Sequence, residues 1–472
     1  MPMKIITRFA PSPTGYVHIG GIRTALYSWL YTRSKKGKLI LRIEDTDSSR
    51  SNSKYIDSIA AVMKWLSLDW DEGPYIQTKR LNRYNEYVSK LINANLAYKC
   101  YCTKERLESL RKSQLAQGIK PKYDGHCRNK YVYYNDSKEY VIRFKNPING
   151  TTSFYDNIRG SISFRNEELD DLIIKRTNGL PTYNLCVVVD DLDMEITHIV
   201  RGEEHINNTP RQINILKALN SPIPTYAHVP IILGNSGKKL SKREQATNIL
   251  EYKHNGFLPE AIISYIVKLG WTYGNKELIN INELKAIFNT KSIRKSASKF
   301  DYEKLLWVNQ QYIKSTSDKY IIEYLYVSLN KSKNKPNIKY GSILKSLIRL
   351  YKTRSNTLNL ITESFYQFYI ASSNSNETYI NYIEAASVLD IVEAIYKEIS
   401  ITKSWSINMI TEIIQKISIS LNIAVCNIAM LLRIGLLGKA VSPGITQVIN
   451  IFNKESLLKR IKKVITMLKY NY

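Results

Sequence analysis

The sequence predicts an α/β protein, with a doubly wound parallel sheet in its first part and an all-α C-terminal region. Three observations carry that prediction. Short apolar runs alternate with helical stripes up to about residue 255, and two phosphate-directed motifs each follow a strand-like run. Beyond residue 330 no alternating pattern of any length appears. Ligand motifs at strand ends within βα alternation are the pattern of a Rossmann-like sheet. A chain of 472 residues exceeds one ordinary core, so two to four domains are expected.

Taken in order, Ile5, Ile6 and Phe9 mark a first buried strand, and Ile22, Leu26, Trp29 and Leu30 mark one face of a helix. Between them lies the Pro/Gly-rich segment Pro11-Ser12-Pro13-Thr14-Gly15-Tyr16-Val17-His18-Ile19-Gly20-Gly21. Lys38–Ile43 reads as a second strand, and Ile56, Ile59, Met63 and Leu66 as a helix face. The polar, aromatic-rich stretch Cys100–Phe164 reads as an insertion, about 100–170. Strand-like runs resume at Asp171–Arg176, Tyr183–Val189 and Ile196–Val200. Thr209-Pro210-Arg211-Gln212 predicts a helix start with Thr as N-cap and Pro at the first helical position. Ala227–Leu233 is the next strand, and it delivers Lys238-Lys239-Leu240-Ser241-Lys242-Arg243.

After residue 255 the period becomes helical. Ile343, Leu344, Leu347, Ile348 and Tyr351 share one stripe, as do Ile407, Ile410, Ile413, Ile414 and Ile417. The expected division is a catalytic domain over 1–255, a helical region over 256–325 and an all-α domain over 326–472, with Asn330–Asn337 as a linker. Trp65, Trp70, Trp271 and Trp307 are assigned to the core.

The formal net charge of +27 favours a polyanionic partner, nucleic acid before an acidic membrane, through phosphate contacts and counterion release. General lysine enrichment is the competing explanation, because Lys, Ile, Asn and Tyr are all abundant. No apolar run reaches the roughly 18–20 residues of a membrane span, and no secretory leader is expected at the N-terminus. Five cysteines in a chain this long predict a reducing, cytoplasmic setting rather than a disulfide scaffold.

The two motifs point to one ligand. A strand, a Pro/Gly turn and a glycine-opened helix start turn backbone N–H groups and the positive end of a helix dipole toward an anion. His18 stands just before the glycines, within reach of a phosphate. The second motif offers four cations on a loop after a strand. Alone it would be a solvated basic loop; beside the first it reads as a lid over a triphosphate.

Together these resemble the two signatures of class I aminoacyl-tRNA synthetases, and specifically the bacterial glutamyl branch. Further matching stretches are Leu41–Asp47, Trp70–Pro74, Leu180–Asn184, Ile199–His205, Ser296–Phe300 and Lys304–Trp307, so the resemblance runs essentially the whole length. It implies ATP, accompanied by Mg²⁺, L-glutamate and tRNA(Glu) as partners, and a cytoplasmic monomer. It implies catalytic roles for His18, Lys239 and Lys242. ATP would be bound by Pro11, Ser12, Pro13, Thr14, Gly15, His18, Gly20, Gly21, Glu204 and the lid residues Lys239, Leu240, Ser241, Lys242 and Arg243. Gly21 stands where the general class I signature has a second His, a departure the glutamyl branch shares.

For glutamate, the resemblance assigns Glu44 to the α-amino group, Arg8 and Arg201 to carboxylates, and Ser12, Tyr183 and His205 to the same site. A bidentate Arg on the side-chain carboxylate would reject glutamine, whose amide aims donors at donors. A salt bridge between neighbouring strands is the purely structural alternative for Arg8 and Glu44. Arg354 matches the arginine that reads the last anticodon base. Some relatives bind zinc through Cys-x-Cys and Cys-x-His. Here Cys100, Cys102 and Cys127 are present, Asn129 holds the His position and His126 is displaced, so zinc is not expected. A non-discriminating enzyme that also charges tRNA(Gln), and an inactive RNA-binding paralogue, are the alternative readings. The paralogue should have lost His18, Lys242 or Arg8, all of which are present.

Overall fold

The computed structural model describes residues 4–46, 51–129, 139–240, 248–329, 342–369, 385–439 and 442–470. The chain forms two compact units: Met1–Lys253 with Pro259–Tyr302, and His254–Leu258 with Glu303–Tyr472.

The first unit opens with β1 (Ile6–Phe9), α1 (Ile19–Ser34), β2 (Lys38–Ile43), α2 (Ser53–Trp65) and β3 (Glu72–Ile76). Next come α3 (Leu81–Asn93), β4 (Ala97–Cys100), α4 (Lys104–Ala116), β5 (Val141–Phe144), β6 (Thr151–Asp156), β7 (Gly160–Arg165) and β8 (Ile173–Lys175). It continues with α5 (Tyr183–Asp193), β9 (His198–Gly202), α6 (Thr209–Ala218), β10 (Thr225–Val229) and β11 (Ile232–Leu233). Helices α7 (Ile249–His254), α8 (Pro259–Val267) and α9 (Ile281–Ile287) and the short β12 (Ser298–Lys299) follow.

Strands β1, β2 and β3 pair in parallel, as do β9, β10 and β6, with β7 antiparallel at the far edge of β6. The two groups meet where β1 lies beside β9: the Thr197 N–H donates to the Ile6 carbonyl at 2.9 Å. The order β3-β2-β1 then β9-β10-β6 is that of a doubly wound sheet. Its switch point lies between β1 and β9, where such sheets place ligands at the carboxyl ends of the strands. Helix α1 covers this junction, with Ile22, Leu26, Trp29 and Leu30 at most 1% exposed. Burying each side chain of that size stabilises by about 1.5–3 kcal/mol. Within the stretch read as an insertion, β5 pairs antiparallel with β4 and β8, which flank the stretch on either side, and the β6-β7 hairpin joins the main sheet.

Three local expectations are corrected. Tyr183–Val189 is not a strand; it opens helix α5. Leu185 to Val189 are all buried, so the run is apolar on every side, its period vanishes and its valines mimic a strand. Ala227–Leu233 is two strands, β10 and β11, broken at Pro230, which has no N–H for the ladder. Thr209 is the first residue of α6 rather than its cap, and its hydroxyl is used elsewhere, in the site.

The second unit is helical. It takes in most of α10 (Tyr302–Ser315), then α11 (Asp318–Leu329), α12 (Ser342–Lys352), α13 (Leu358–Tyr369) and α14 (Ala385–Ile401). It ends with α15 (Ile407–Ser420), α16 (Val425–Leu437), α17 (Ile445–Ile451) and α18 (Lys454–Tyr470). The predicted stripes are its core: Leu344, Leu347, Ile348 and Tyr351 are buried on α12, and Ile410, Ile413, Ile414 and Ile417 on α15. Trp307 departs from its core assignment: it is 40% exposed, with the Lys304 ammonium 4.5 Å over its ring. Among the described residues no single helix is long and apolar enough to cross a membrane. The pair α15 and α16 reaches that length together but turns by 119° at the break.

Candidate active site

The turn after β1, the start of α1 and the carboxyl ends of β1 and β9 enclose a cleft of about 610 Å³. His18 is the N-cap of α1, in extended backbone, and its Nδ1 accepts from the Gly21 N–H at 3.3 Å. With Nδ1 accepting, the neutral ring carries its proton on Nε2 and so presents a donor. A Cβ on Gly20 would lie 3.0 Å from Cε1 of that ring, so the glycine after the histidine makes room for it. The predicted phosphate residues Pro11, Ser12, Thr14, Gly15, His18, Gly20 and Gly21 line the cleft; Pro13 is buried and does not.

On the opposite wall, β11 leads into a tight turn in which Gly234 N donates to the Lys238 carbonyl and Leu240 N to the Ile232 carbonyl. This brings Lys239 and Leu240 to the cleft. Ser241, Lys242 and Arg243 lie outside the described residues.

The glutamate candidates Arg8, Glu44, Tyr183, Arg201 and His205 line the same cleft, as does Glu204. Arg8 and Glu44 are not paired with each other. Arg8 Nε donates to Asp191 Oδ1 at 3.2 Å, and Glu44 Oε1 accepts from Arg42 Nη2 at 3.1 Å. Arg42, wholly buried on β2, also holds Asp191 at 2.7 Å and lies 3.7 Å from Asp190. Asp190 is held in turn by Gln77, Arg80 and Tyr84 at 2.8–3.0 Å.

Three buried arginines, Arg8, Arg42 and Arg201, thus share a low-dielectric region with three buried acids, Glu44, Asp190 and Asp191. Burial would raise Asp191, but the Arg42 and Arg8 charges outweigh it and hold its carboxyl low. For Glu44 burial wins over Arg42, and its carboxyl is pushed up. Such a site is costly to assemble and stiff once complete, because every charge depends on a partner.

Arg201 Nε donates to His228 Nε2 at 3.1 Å, Nη1 to Gln212 Oε1 at 2.8 Å and Nη2 to Thr209 Oγ1 at 2.8 Å. The Tyr183 hydroxyl sits 3.2 Å from His205 Nδ1. Burial, then the Arg201 charge, push His205 down to about 4, so it is neutral at pH 7. Sequence reasoning missed Arg42, Asp190, Asp191, Gln212 and His228. The signal for the acids was present: adjacent aspartates ending an apolar run must be paired if buried.

The three thiols form a separate cluster whose sulfurs all lie within 4.8 Å of one another. The Tyr123 hydroxyl lies 3.3 Å from Cys100 Sγ and 3.6 Å from Cys102 Sγ, and Arg143 Nε donates to Cys100 Sγ at 3.3 Å. His126 and Asn129 are exposed. Among the described residues no fourth nitrogen or sulfur ligand joins the group, so the donors do not complete a tetrahedral zinc set.

Residues 4–307 match the family described as tRNA synthetases class I (E and Q), catalytic domain. The chain belongs to that family. Residues 318–465 match an anticodon binding domain. The chain is 49% identical, over 467 residues, to a glutamate–tRNA ligase of Buchnera aphidicola subsp. Acyrthosiphon pisum (strain APS), covering 99% of this chain and all of that one. A crystal structure of a glutamate tRNA ligase from Elizabethkingia meningosepticum in complex with its amino acid superimposes with a TM-score of 0.83 at 29% identity. It covers 99% of this chain and 100% of that one. A glutamate–tRNA synthetase from Elizabethkingia anophelis gives 0.80 at 28% identity, over 98% and 100% of the two chains. The class I fold expected from the sequence, a parallel sheet followed by a helical region, is that of these structures. Arg354, in the second unit, lies in the turn between α12 and α13 and is exposed; Asn309 and Gln310 of α10 bond the turn's carbonyls at Asn356 and Thr353.

Proposed function

We propose that the cleft performs the glutamate–tRNA ligase reaction: L-glutamate and ATP give glutamyl-adenylate, and the acyl group passes to the 3′-terminal adenosine of tRNA(Glu). The observation that carries this reading is the pairing, in one cleft, of a histidine-capped helix start with the buried arginines Arg8 and Arg201. An α-carboxylate oxygen attacks the α-phosphorus and pyrophosphate leaves; a terminal ribose hydroxyl then attacks the acyl carbon and AMP leaves. Catalysis of such transfers is mostly positioning and neutralisation of oxygen charge. His18 and the backbone around Gly20 and Gly21 hold phosphates, and Lys239 and Lys242 close over them. Glu44 takes the α-ammonium, whose charge favours the ionised carboxylate that burial disfavours. Arg8 and Arg201 take carboxylates, with Ser12 and Tyr183 adding hydrogen bonds and Glu204 and His205 bordering both substrates.

Mg²⁺ arrives with ATP rather than on a dedicated ligand set, and the protein carries no structural zinc. Catalysis belongs to about 1–255, with acceptor-stem contacts from the insertion (about 100–170), further stem contacts from 256–325 and anticodon reading by 326–472. Arg354 reads the last anticodon base. The enzyme works as a cytoplasmic monomer. The excess of +27 charges serves RNA backbone contacts. The test is ATP–pyrophosphate exchange with each amino acid, with and without tRNA. Exchange should depend on glutamate, and no glutamate-dependent exchange even with tRNA present overturns the reading.

A further inference from the structure

Arg201, His228 and Asp156 form a chain across three neighbouring strands. His228 of β10 is the register partner of Arg201 on β9, and Tyr226 of β10 is the partner of Asp156 on β6. A guanidinium offers five N–H donors and no acceptor. Among the described residues Arg201 spends three of them on His228, Gln212 and Thr209, one from each nitrogen. Two therefore remain, one on each terminal nitrogen, as two-pronged contact with a carboxylate requires.

The bond to His228 fixes a tautomer. Since Arg201 Nε can only donate, His228 Nε2 must be unprotonated, and the ring's proton sits on Nδ1. That nitrogen lies 2.7 Å from Asp156 Oδ2, and both side chains are 0% exposed. Asp156 is itself clamped: Oδ2 accepts the His228 N–H at 3.0 Å, and Oδ1 accepts the Ile158 and Arg159 N–H groups at 2.9 and 2.8 Å. Tyr226 stacks on the imidazole at 5.8 Å, with planes 9° apart.

We infer that Asp156 and His228 are positioning residues for glutamate: the acid sets the histidine tautomer, and the histidine turns Arg201 so that its two remaining N–H groups meet a substrate carboxylate. This rests on the reading of Arg201 as a carboxylate ligand. Neither residue touches substrate.

The test is steady-state glutamylation by the full chain, separating KM for glutamate from KM for ATP. His228→Asn keeps a donor toward Asp156 and removes the acceptor facing Arg201. It should raise KM for glutamate about 10- to 100-fold, the range for losing one bond to a charged group, with KM for ATP unchanged. His228→Gln returns a carbonyl to the Nε2 position and should recover most of the loss. Equal changes in both KM values, no change in either, or no recovery by Gln overturns the positioning role. Arg201→Lys is the control: if it leaves KM for glutamate unchanged, the assignment of Arg201 has failed instead. Ring ¹⁵N shifts of the unmutated protein give a readout free of any folding defect. At pH 7 they should show His228 neutral with its proton on Nδ1, and a proton on Nε2 overturns the inference.

Discussion

Replacing Arg8 by glutamine tests whether the buried charge of the cleft selects glutamate or only holds the fold together. The Arg8 side chain is 5% exposed, and its bond to a described protein group is from Nε to Asp191 at 3.2 Å. Its terminal nitrogens have no acceptor among the described residues, although the side chain lines the cleft. Two charge-assisted bonds to a substrate carboxylate are then available, each worth about 1.5–3 kcal/mol. Their sum, about 3–6 kcal/mol, converts at 1.4 kcal/mol per decade to two to four decades in kcat/KM for glutamate. Glutamine never makes those bonds as a charged acceptor, so its kcat/KM should fall far less, and the Glu-to-Gln preference should collapse by at least about two decades. The assay is aminoacylation, with ATP–pyrophosphate exchange in the presence of tRNA, for each amino acid in turn. A parallel fall for both amino acids would refute a contact from Arg8 to the side-chain carboxylate, leaving it the α-carboxylate common to both or its ion pair with Asp191.

Four further outcomes are expected. His18→Ala should lower kcat by about 10²–10³ and remove a helix cap worth about 0.5–2 kcal/mol; His18→Asn should restore the melting temperature but not the rate. His205 is held down to about 4 by burial and Arg201, so between about 6.5 and 4 the unfolded chain binds the proton first and stability falls as pH falls. Its contribution is complete above about 6.5, and the melting temperature should drop more on acidification than in His205→Gln; a pH-independent difference contradicts this. Arg354→Gln should relax discrimination between Glu and Gln tRNAs, and an unchanged ratio of charging efficiencies refutes the anticodon role. Zinc in purified protein should stay well below one equivalent, with chelator leaving activity intact; a value near one would mean that the Cys100, Cys102 and Cys127 cluster finds another ligand.

Much of the fold was legible because its signals are local. The first strand and turn and the helix α1 stripe declare themselves through period and glycine placement, and the C-terminal helices through period alone. Tyr183–Val189 failed for a physical reason: a segment buried on every side carries no period. The break at Pro230 could have been read from proline's missing N–H. Among the site residues, His18, Arg8, Glu44, Arg201 and Lys239 came from motifs, and the structure gathers them in one cleft. What holds them could not be read the same way. Asp191 stands 183 residues from Arg8, Asp156 stands 72 from His228, and nothing in either neighbourhood names the partner.

The sequence by itself carried the motifs: a histidine before a glycine-opened helix start at a strand end, a run of four cations after a later strand, and a long helical region beyond. The tertiary structure decided how those motifs are aimed. It joined β1 to β9 at the switch point, buried three arginines among three acids, and ran a chain from Asp156 through His228 to Arg201. Hydrogen-bond direction and ion pairing are properties of groups brought together across the sheet, so they exist only once the strands are in register.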